Sequence, residues 1–292
     1  MRNVSHLNLH ALEMFRHVAV EGSILAASAK LHRVQSNVST RIKQLEEQVG
    51  AALFVRRARG LSLTEDGEVL LRYAEQMLAL SNEALDALHS SYPTGEFRIG
   101  TMESTAAVRL PSVLSAYHKQ FSDVQIHVET DTAGALTNRL LSGDIDVAFI
   151  AEPLSHAELV SEPVFVEQLM LISPPSFASL RNRQKINGAT MIAFEEGCAY
   201  RRYLQDWLSE ERIQPGQILS VGSYLAILAC VSAGTGLAVV PKSVLDAIAS
   251  DGDFKCHPLP KKYSKIATLL TWRGDYRSRK LEALRALLPG LR

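Results

Sequence analysis

The 292-residue sequence has few cysteines and no excess of either charge. Its three cysteines, Cys198, Cys230 and Cys256, are odd in number and widely spaced, which argues against a disulfide framework and a Cys-x-x-Cys metal site. The 31 basic and 31 acidic residues balance, so overall charge indicates neither a nucleic acid nor a membrane as partner. We expect a reducing cytoplasmic location and no metal or other cofactor.

Long apolar runs and catalytic motifs are also missing. The most apolar stretch, 225–240, contains serine, glycine and threonine and is too short to span a bilayer. No basic-then-apolar signal segment opens the chain. Gly234 and Gly236 are followed by Val239 where a dinucleotide-binding Gly-x-Gly-x-x-Gly motif requires glycine. No Gly-x-Ser-x-Gly, His-Glu-x-x-His or Walker sequence is present, so we do not expect an enzyme.

What the chain does have is an uneven distribution of charge. Residues 1–63 contain nine basic and four acidic side chains, a net charge of +5. Residues 64–90 contain one basic and six acidic side chains, a net charge of −5. A basic module followed by an acidic segment is typical of a domain that contacts phosphates, although a solvated surface would show the same pattern.

Apolar periodicity predicts three short helices in the basic module, followed by a hairpin. The second helix follows Ser23, a good N-cap, and the third runs from about Ser36 to Val49 before Gly50. Two short apolar segments then flank a basic tip that contains Arg56, Arg57 and Arg59. We predict a winged helix-turn-helix domain over residues 1–64.

A long helix is predicted from Thr64, its N-cap, to about Ser90. Its small and apolar residues recur in steps of three and four, the spacing of a coiled-coil seam: Leu71, Ala74, Leu78, Ser81, Leu85 and Leu88. We interpret 65–91 as a linker helix that dimerises. A single helix packed on its own domain is the alternative.

Beyond the break at 92–95 the pattern changes to strands alternating with helices. Seven segments are predicted as strands: Phe97–Gly100, Val124–Glu129, Val147–Ile150, Gln168–Ser173, Met191–Phe194, Leu237–Val240 and Ala267–Trp272. This alternation predicts an α/β fold with mainly parallel sheets over 92–292.

The run from Leu9 to Leu80 resembles the DNA-binding and linker region of LysR-type transcriptional regulators. The positions that carry the resemblance are Phe15, Val18, Gly22-Ser23, Ala26-Ala27, Leu31, Gln35-Ser36, Val38-Ser39, Ile42, Leu45-Glu46, Gly50, Leu53-Phe54, Arg56, Leu63-Thr64, Gly67 and Ala74. Pro111, the stretch Leu140–Phe149 and the segment Gly234–Pro241 extend it to the family's effector domain. A narrower resemblance, to the glutamate-synthase-regulator-like subgroup, involves residues 197–201 and 222–224.

The family resemblance implies a two-lobed effector domain like that of a periplasmic solute-binding protein. One lobe would comprise about 92–163 with 267–292, and the other about 164–266. A small effector would bind between the lobes, and the linker helix would form a homodimer that pairs into a homotetramer on double-stranded promoter DNA. RNA polymerase is then a further candidate partner.

The candidate DNA-binding residues lie at the start of the third helix and at the wing tip. They are Gln35, Ser36, Asn37, Ser39, Thr40 and Arg41 in the helix, and Arg56, Arg57 and Arg59 in the wing. Short polar side chains at a helix N-terminus can reach base edges in the major groove, and wing arginines can reach phosphates or the minor groove. Alternatively, Ser36 only caps its helix and the wing is only solvated. The family often has proline after the glutamine and arginine after Ser39, so base preferences do not carry over.

The candidate effector-binding residues follow predicted strand ends or come from the second lobe. They are Ser104, Thr105, Thr132, Tyr200, Arg201, Ser223 and Tyr224. We predict a small polar effector, anionic rather than cationic, because helix N-termini and arginine both favour negative charge. Each residue alone could equally be a cap or a packing residue, and Cys198 is best interpreted as a plain buried thiol.

Taken together, these features predict an effector-controlled, DNA-binding transcriptional regulator. One alternative is a two-lobed α/β enzyme with an appended interaction domain, which the missing catalytic motifs disfavour. A second alternative is a solute-binding protein, which the N-terminal module and the lack of an export signal disfavour.

Overall fold

A computed structural model describes residues 6–57, 60–89, 92–177, 186–248 and 253–288, except the side chains of 82, 83 and 86–89. The chain divides into two compact units. The first is Met1–His89 with Ser142–Asp144, and the second is Ser90–Leu141 with Ile145–Arg292. None of the helices in the described part of the chain combines the length and the hydrophobicity that a membrane-spanning helix requires.

The first unit is a three-helix module with a two-stranded wing and a long C-terminal helix. Its elements are α1 (Leu9–Glu21), α2 (Ile24–Lys30), α3 (Gln35–Val49), β1 (Phe54–Arg57), β2 (Gly60–Leu63) and α4 (Glu65–His89). Leu12, Phe15 and Val18 of α1 pack with Ile42 and Leu45 of α3 in a common apolar core. The apolar stripes of the two helices therefore face each other, as their periodicity predicts.

Local capping sets the helix boundaries of this unit. The Ser23 side chain accepts a hydrogen bond from the Ala26 N–H at 3.4 Å, and the Thr64 hydroxyl accepts one from the Gly67 N–H at 3.0 Å. Gly50 ends α3 with a positive φ of 75°, a conformation that glycine adopts without steric cost. These three predicted boundary residues are confirmed.

The wing is held against the turn between α1 and α2 by a close backbone approach. The Leu61 N–H donates to the Gly22 carbonyl oxygen at 2.8 Å. A Cβ atom on Gly60 would lie 2.6 Å from that same oxygen, so any side chain at this position would force the wing away. The backbone of the wing therefore packs directly against this turn.

The predicted seam of α4 packs inward. Ala74 is fully buried in the core of the first unit, and Leu71 and Leu78 pack against that core. Ala74 is therefore not available to a dimer seam, whereas Leu71 and Leu78 pack on the helix's own domain but are only partly buried, so the seam stays a prediction for those two residues. The reason for this inward packing is that α1 lies against α4 along this stripe. Leu85 is exposed, and the Leu88 side chain lies outside the described residues.

A different face of α4 carries three further exposed apolar residues. Val69, Tyr73 and Leu80 are 44%, 58% and 65% exposed. They are four and seven residues apart, so at 100° per residue they fall on one side of the helix. This α4 outer face, defined as Val69, Tyr73 and Leu80, lies opposite the stripe that contains Ala74.

The second unit alternates strands and helices, as predicted. Its elements are β3 (Gly95–Thr101), α5 (Glu103–Val108), α6 (Leu110–Gln120), β4 (Val124–Thr130), α7 (Ala133–Ser142), β5 (Val147–Ala151), β6 (Leu159–Ser173), β7 (Thr190–Ala193), α8 (Ala199–Glu210), β8 (Gln217–Ser220), α9 (Tyr224–Ser232), β9 (Leu237–Pro241), α10 (Lys242–Ile248), β10 (Lys255–Pro258), β11 (Lys265–Arg273) and α11 (Arg279–Leu287). All seven predicted strands are present, and β8 and β10 are additional.

The strands form one continuous mixed sheet in the order β4-β3-β5-β11-β6-β9-β7-β8, with β10 on β6. Among the described strands, four neighbouring pairs are parallel and four are antiparallel, so the prediction of mainly parallel sheets is wrong. The antiparallel pairs arise because β6 and β11 run between two parallel groups, β4-β3-β5 and β9-β7-β8. These groups are the centres of two lobes.

A buried ion pair lies beside these crossing strands. The Arg109 Nε donates to the Glu167 Oε1 of β6 at 2.7 Å, and the Ser243 hydroxyl donates to the Glu167 Oε2 at 2.5 Å. The Glu167 side chain is only 3% exposed, whereas that of Arg109 is 32% exposed. Because a buried carboxylate needs such partners, the interaction ties the junction between α5 and α6 to β6 and α10.

We expect the two partners of this ion pair to differ in their effect on stability. Arg109→Ala leaves a buried carboxylate with one hydroxyl partner and should lower the free energy of unfolding by about 3 kcal/mol. Glu167→Gln leaves an arginine that can reach water and should cost only about 1 kcal/mol. Urea titration followed by tryptophan fluorescence measures both, because Trp207 and Trp272 lie in the second unit. Equal losses would contradict this account.

Candidate DNA-binding face and interlobe cavity

The N-terminal end of α3 presents a group of exposed polar side chains. Gln35, Ser36, Asn37, Ser39 and Thr40 are all exposed, as is the adjacent Arg41. The N-cap is Val34, which makes no side-chain capping hydrogen bond. The alternative in which Ser36 caps the helix is therefore wrong, and none of these polar side chains caps the N-terminus of α3.

The wing places two of its three predicted arginines beside the same module. Arg56 and Arg57 are exposed at the end of β1, and no carboxylate of the described residues forms a salt bridge with either. Arg59 lies outside the described residues. Exposed guanidinium groups without a protein carboxylate partner suit contact with phosphate.

A cavity of about 250 Å³ lies between the two lobes of the second unit. Met102 and Thr132 follow the ends of β3 and β4 in one lobe, and Phe194 and Gly222 follow the ends of β7 and β8 in the other. The cavity thus lies at the carboxyl ends of parallel strands from both lobes, where open α/β sheets bind ligands. The described residues that line the cavity are Met102, Glu103, Ser104, Thr130, Asp131, Thr132, Ala133, Phe194, Glu195, Cys198, Ala199, Tyr200, Gly222 and Tyr224.

Four of the seven predicted effector-binding residues line this cavity: Ser104, Thr132, Tyr200 and Tyr224. The Ser104 hydroxyl and the Tyr200 hydroxyl lie 3.4 Å apart and join the two lobes. Thr132 also caps α7, since its hydroxyl accepts from the Ala135 N–H at 3.4 Å. The rings of Tyr224 and Phe194 pack edge to face with centroids 4.6 Å apart.

The other three predicted residues do not line the cavity. Arg201 is turned away, because its guanidinium donates to the Phe194 carbonyl at 2.9 Å and to the Ser220 hydroxyl at 2.8 Å. Thr105 is buried within its own lobe, and Ser223 is absent from the lining. The prediction is wrong for the side chains of Arg201 and Thr105, whereas the Ser223 side chain forms a hydrogen bond with Glu103, which lines the cavity.

Glu103 forms a second bridge between the lobes. Its carboxylate accepts a hydrogen bond from the backbone N–H of Tyr224, with N–O distances of 3.1 and 3.2 Å. This contact caps α9, whose own N-cap residue Ser223 makes no side-chain hydrogen bond to the helix backbone. Burial raises the pKa of Glu103, and the hydrogen bond from Tyr224 opposes that rise.

The charge of the cavity is acidic. Glu103, Asp131 and Glu195 contribute to its lining, and no lysine or arginine of the described residues does. The sequence argument for an anionic effector depended on helix N-termini and on Arg201, and the structure commits Arg201 to other partners. Sequence reasoning missed these three carboxylates, although Glu103 and Asp131 directly neighbour the predicted Ser104 and Thr132.

Cys198 also lines the cavity, but its surroundings do not favour a reactive thiol. Burial raises the pKa of Cys198, and this effect outweighs the lowering by nearby backbone N–H groups and arginines. A raised pKa reduces the thiolate fraction, which is the nucleophilic form.

Two family models match the chain in the same order as the two units. Residues 9–68 match the bacterial regulatory helix-turn-helix protein, lysR family, and residues 90–290 match the LysR substrate binding domain.

Full-length relatives are similar over nearly the whole chain. The HTH-type transcriptional regulator GltR of Bacillus subtilis is 36% identical over 270 residues, which cover 92% of this chain and 91% of that protein. The HTH-type transcriptional regulator CzcR of Bacillus anthracis is 33% identical and covers 92% of each chain. The narrower resemblance to the glutamate-synthase-regulator-like subgroup stays a prediction.

Solved structures share the fold at lower identity. A single-residue variant of full-length OxyR from Pseudomonas aeruginosa has a TM-score of 0.75 at 20% identity and covers 99% of this chain and 95% of its own. Full-length CbnR complexed with its target DNA has a TM-score of 0.68 at 19% identity, and the match covers 98% of this chain and 100% of the CbnR chain. The two matched domains and the relatives together show that this chain belongs to the LysR family and is a DNA-binding transcriptional regulator with an effector-binding domain.

Proposed function

We propose that α3 enters the major groove of promoter DNA, that the wing contacts the backbone or minor groove, and that a small molecule in the interlobe cavity alters this binding. The proposal is carried by the presence of two features in one chain. The start of α3 exposes polar side chains, and the cavity lies where hydrogen bonds join the two lobes of the second unit. The cavity then serves regulation rather than catalysis. The protein acts in the bacterial cytoplasm.

The DNA-binding part rests on side chains that the fold does not use. Gln35 and Asn37 are exposed at the start of α3, where amide groups can read an adenine edge. Ser36, Ser39 and Thr40 are short enough for the backbone to approach the duplex closely. Arg41, Arg56, Arg57 and Arg59 supply positive charge for phosphates.

The effector part rests on the chemistry of the cavity. Carboxylates of Glu103, Asp131 and Glu195 accept hydrogen bonds, and the hydroxyls of Ser104 and Thr132 can donate or accept them. We therefore propose a small polar effector that presents hydrogen-bond donors or a positive charge. This replaces the anionic effector that the sequence predicts. By bridging both lobes it would favour one arrangement of the domain over another.

Assembly rests on α4. Its outer face of Val69, Tyr73 and Leu80 is apolar and exposed, and the family resemblance assigns dimer formation to this helix. We propose that the face packs against the same face of a second copy, which places two α3 helices on one operator. Pairing of dimers into tetramers, contact with RNA polymerase and the domain boundaries 1–64, 65–91 and 92–292 stay predictions.

Two substitutions separate affinity from specificity on DNA. We expect Arg57→Ala to weaken binding to operator and random duplexes alike and to reduce the slope of log affinity against log salt by about one. Asn37→Ala should lower only operator affinity, by about tenfold, because it removes a base contact. Gel-shift titrations at several salt concentrations measure both. Lys119→Ala is the control, because it removes one positive charge from the second unit and should leave DNA binding unchanged. If Arg57→Ala and Asn37→Ala both bound DNA as the wild type does, the proposed DNA-binding face would be wrong.

Two leucines test the proposed dimer surface. Leu80→Asp should yield a folded monomer, because the charge enters only the face between copies. Leu78→Asp should instead destabilise the first unit, because Leu78 packs against its core. Sedimentation velocity reports the assembly state and circular dichroism reports folding. An unchanged oligomer for Leu80→Asp would refute the proposed face.

A matched pair of serines tests the cavity. A thermal-shift screen of metabolites on the full chain first identifies a ligand that stabilises the protein. Ser104→Ala should then raise its Kd about threefold to tenfold, the loss of one hydrogen bond. Ser112→Ala is the control, because its hydroxyl donates to the Arg109 carbonyl on an exposed part of α6. Calorimetry with equal Kd values in all three proteins would place the effector elsewhere.

A further inference from the structure

Val34 is the exception among the helix caps of the first unit. Asn8 caps α1 by accepting from the His10 N–H at 2.8 Å, and Ser23 caps α2 by accepting from the Ala26 N–H. Val34 occupies the N-cap of α3 and has no side-chain acceptor to offer. Valine is among the poorest residues at this position, because it leaves an amide group of the first turn without a partner.

Packing does not explain the valine either. Its residue surface is 69% exposed, and it is not part of the apolar core of its unit. A serine or threonine would cap the helix and a buried valine would contribute to the core, but this side chain does neither. Positions that break a local rule without a structural gain are expected at functional sites.

The backbone holds Val34 in a defined place. The Arg33 N–H donates to the Ser28 carbonyl at 2.9 Å, which closes the turn after α2. The Val34 carbonyl then accepts from the Asn37 N–H at 3.0 Å. The exposed methyl groups are therefore fixed at the same helix end as the exposed Gln35 and Asn37.

In the major groove, one base carries an apolar group: thymine, through its C5 methyl. Methyl groups of valine can bury that methyl but can form no hydrogen bond with a base edge. We propose that Val34 contacts a thymine methyl in each half-site and so selects an A·T pair beside the bases read by Gln35 and Asn37. This inference rests on the proposed insertion of α3 into the major groove.

The test uses a duplex that the full-length protein selects from a random-sequence pool. Replacing each thymine in turn by uracil removes one methyl group and leaves base pairing intact. For wild type, we expect one symmetric pair of positions at which uracil lowers affinity about fourfold per methyl, the value of burying one such group. Val34→Ile, which keeps the branched apolar side chain, should retain this discrimination.

Val34→Ser should bind the thymine and uracil duplexes equally. It should also raise the Tm of the protein, since serine caps the helix, so weaker operator binding could not be attributed to unfolding. Discrimination that persists in Val34→Ser, or no sensitive thymine in wild type, would overturn the inference. If Asn37→Ala and Val34→Ser both leave operator affinity unchanged, the proposed α3 insertion fails as well.

Discussion

The antiparallel pairing of β6 with β11 is the constraint on which the second unit depends. The two strands pair from Leu159 with Arg273 to Gln168 with Lys265. On its other side, β11 pairs with β5 of one lobe and β6 pairs with β9 of the other. The parallel groups on either side are thereby held with their carboxyl ends around one cavity. Glu167, with Arg109 and Ser243, provides the polar contacts beside this crossing.

Features set by neighbouring residues could be predicted from the sequence. Ser23, Thr64 and Gly50 end or begin helices through contacts within four residues, so residue type and position suffice. The two stripes of α4 show the limit. Leu78 and Leu80 both belong to series with helical spacing, and periodicity does not say which stripe the rest of the domain covers.

The cavity was only partly predictable for a related reason. Ser104 and Thr132 follow strand ends, and the topology of an α/β sheet brings such residues to one edge. The orientation of Arg201 depends on the Phe194 carbonyl and on Ser220, nineteen residues away in sequence. Residue type indicates what a side chain can bind, whereas its competing partners in the fold determine what it does bind.

The contact between the Gly22 carbonyl and the wing has a consequence for the nucleic acid. A wing seated this closely on the turn between α1 and α2 leaves little freedom to change its distance from α3. On the proposed binding face, a duplex of unsuitable groove width must then deform, and the elastic cost falls on the DNA. Flexible pyrimidine–purine steps lower that cost and stiff tracts raise it, so base pairs that no side chain touches would still influence affinity.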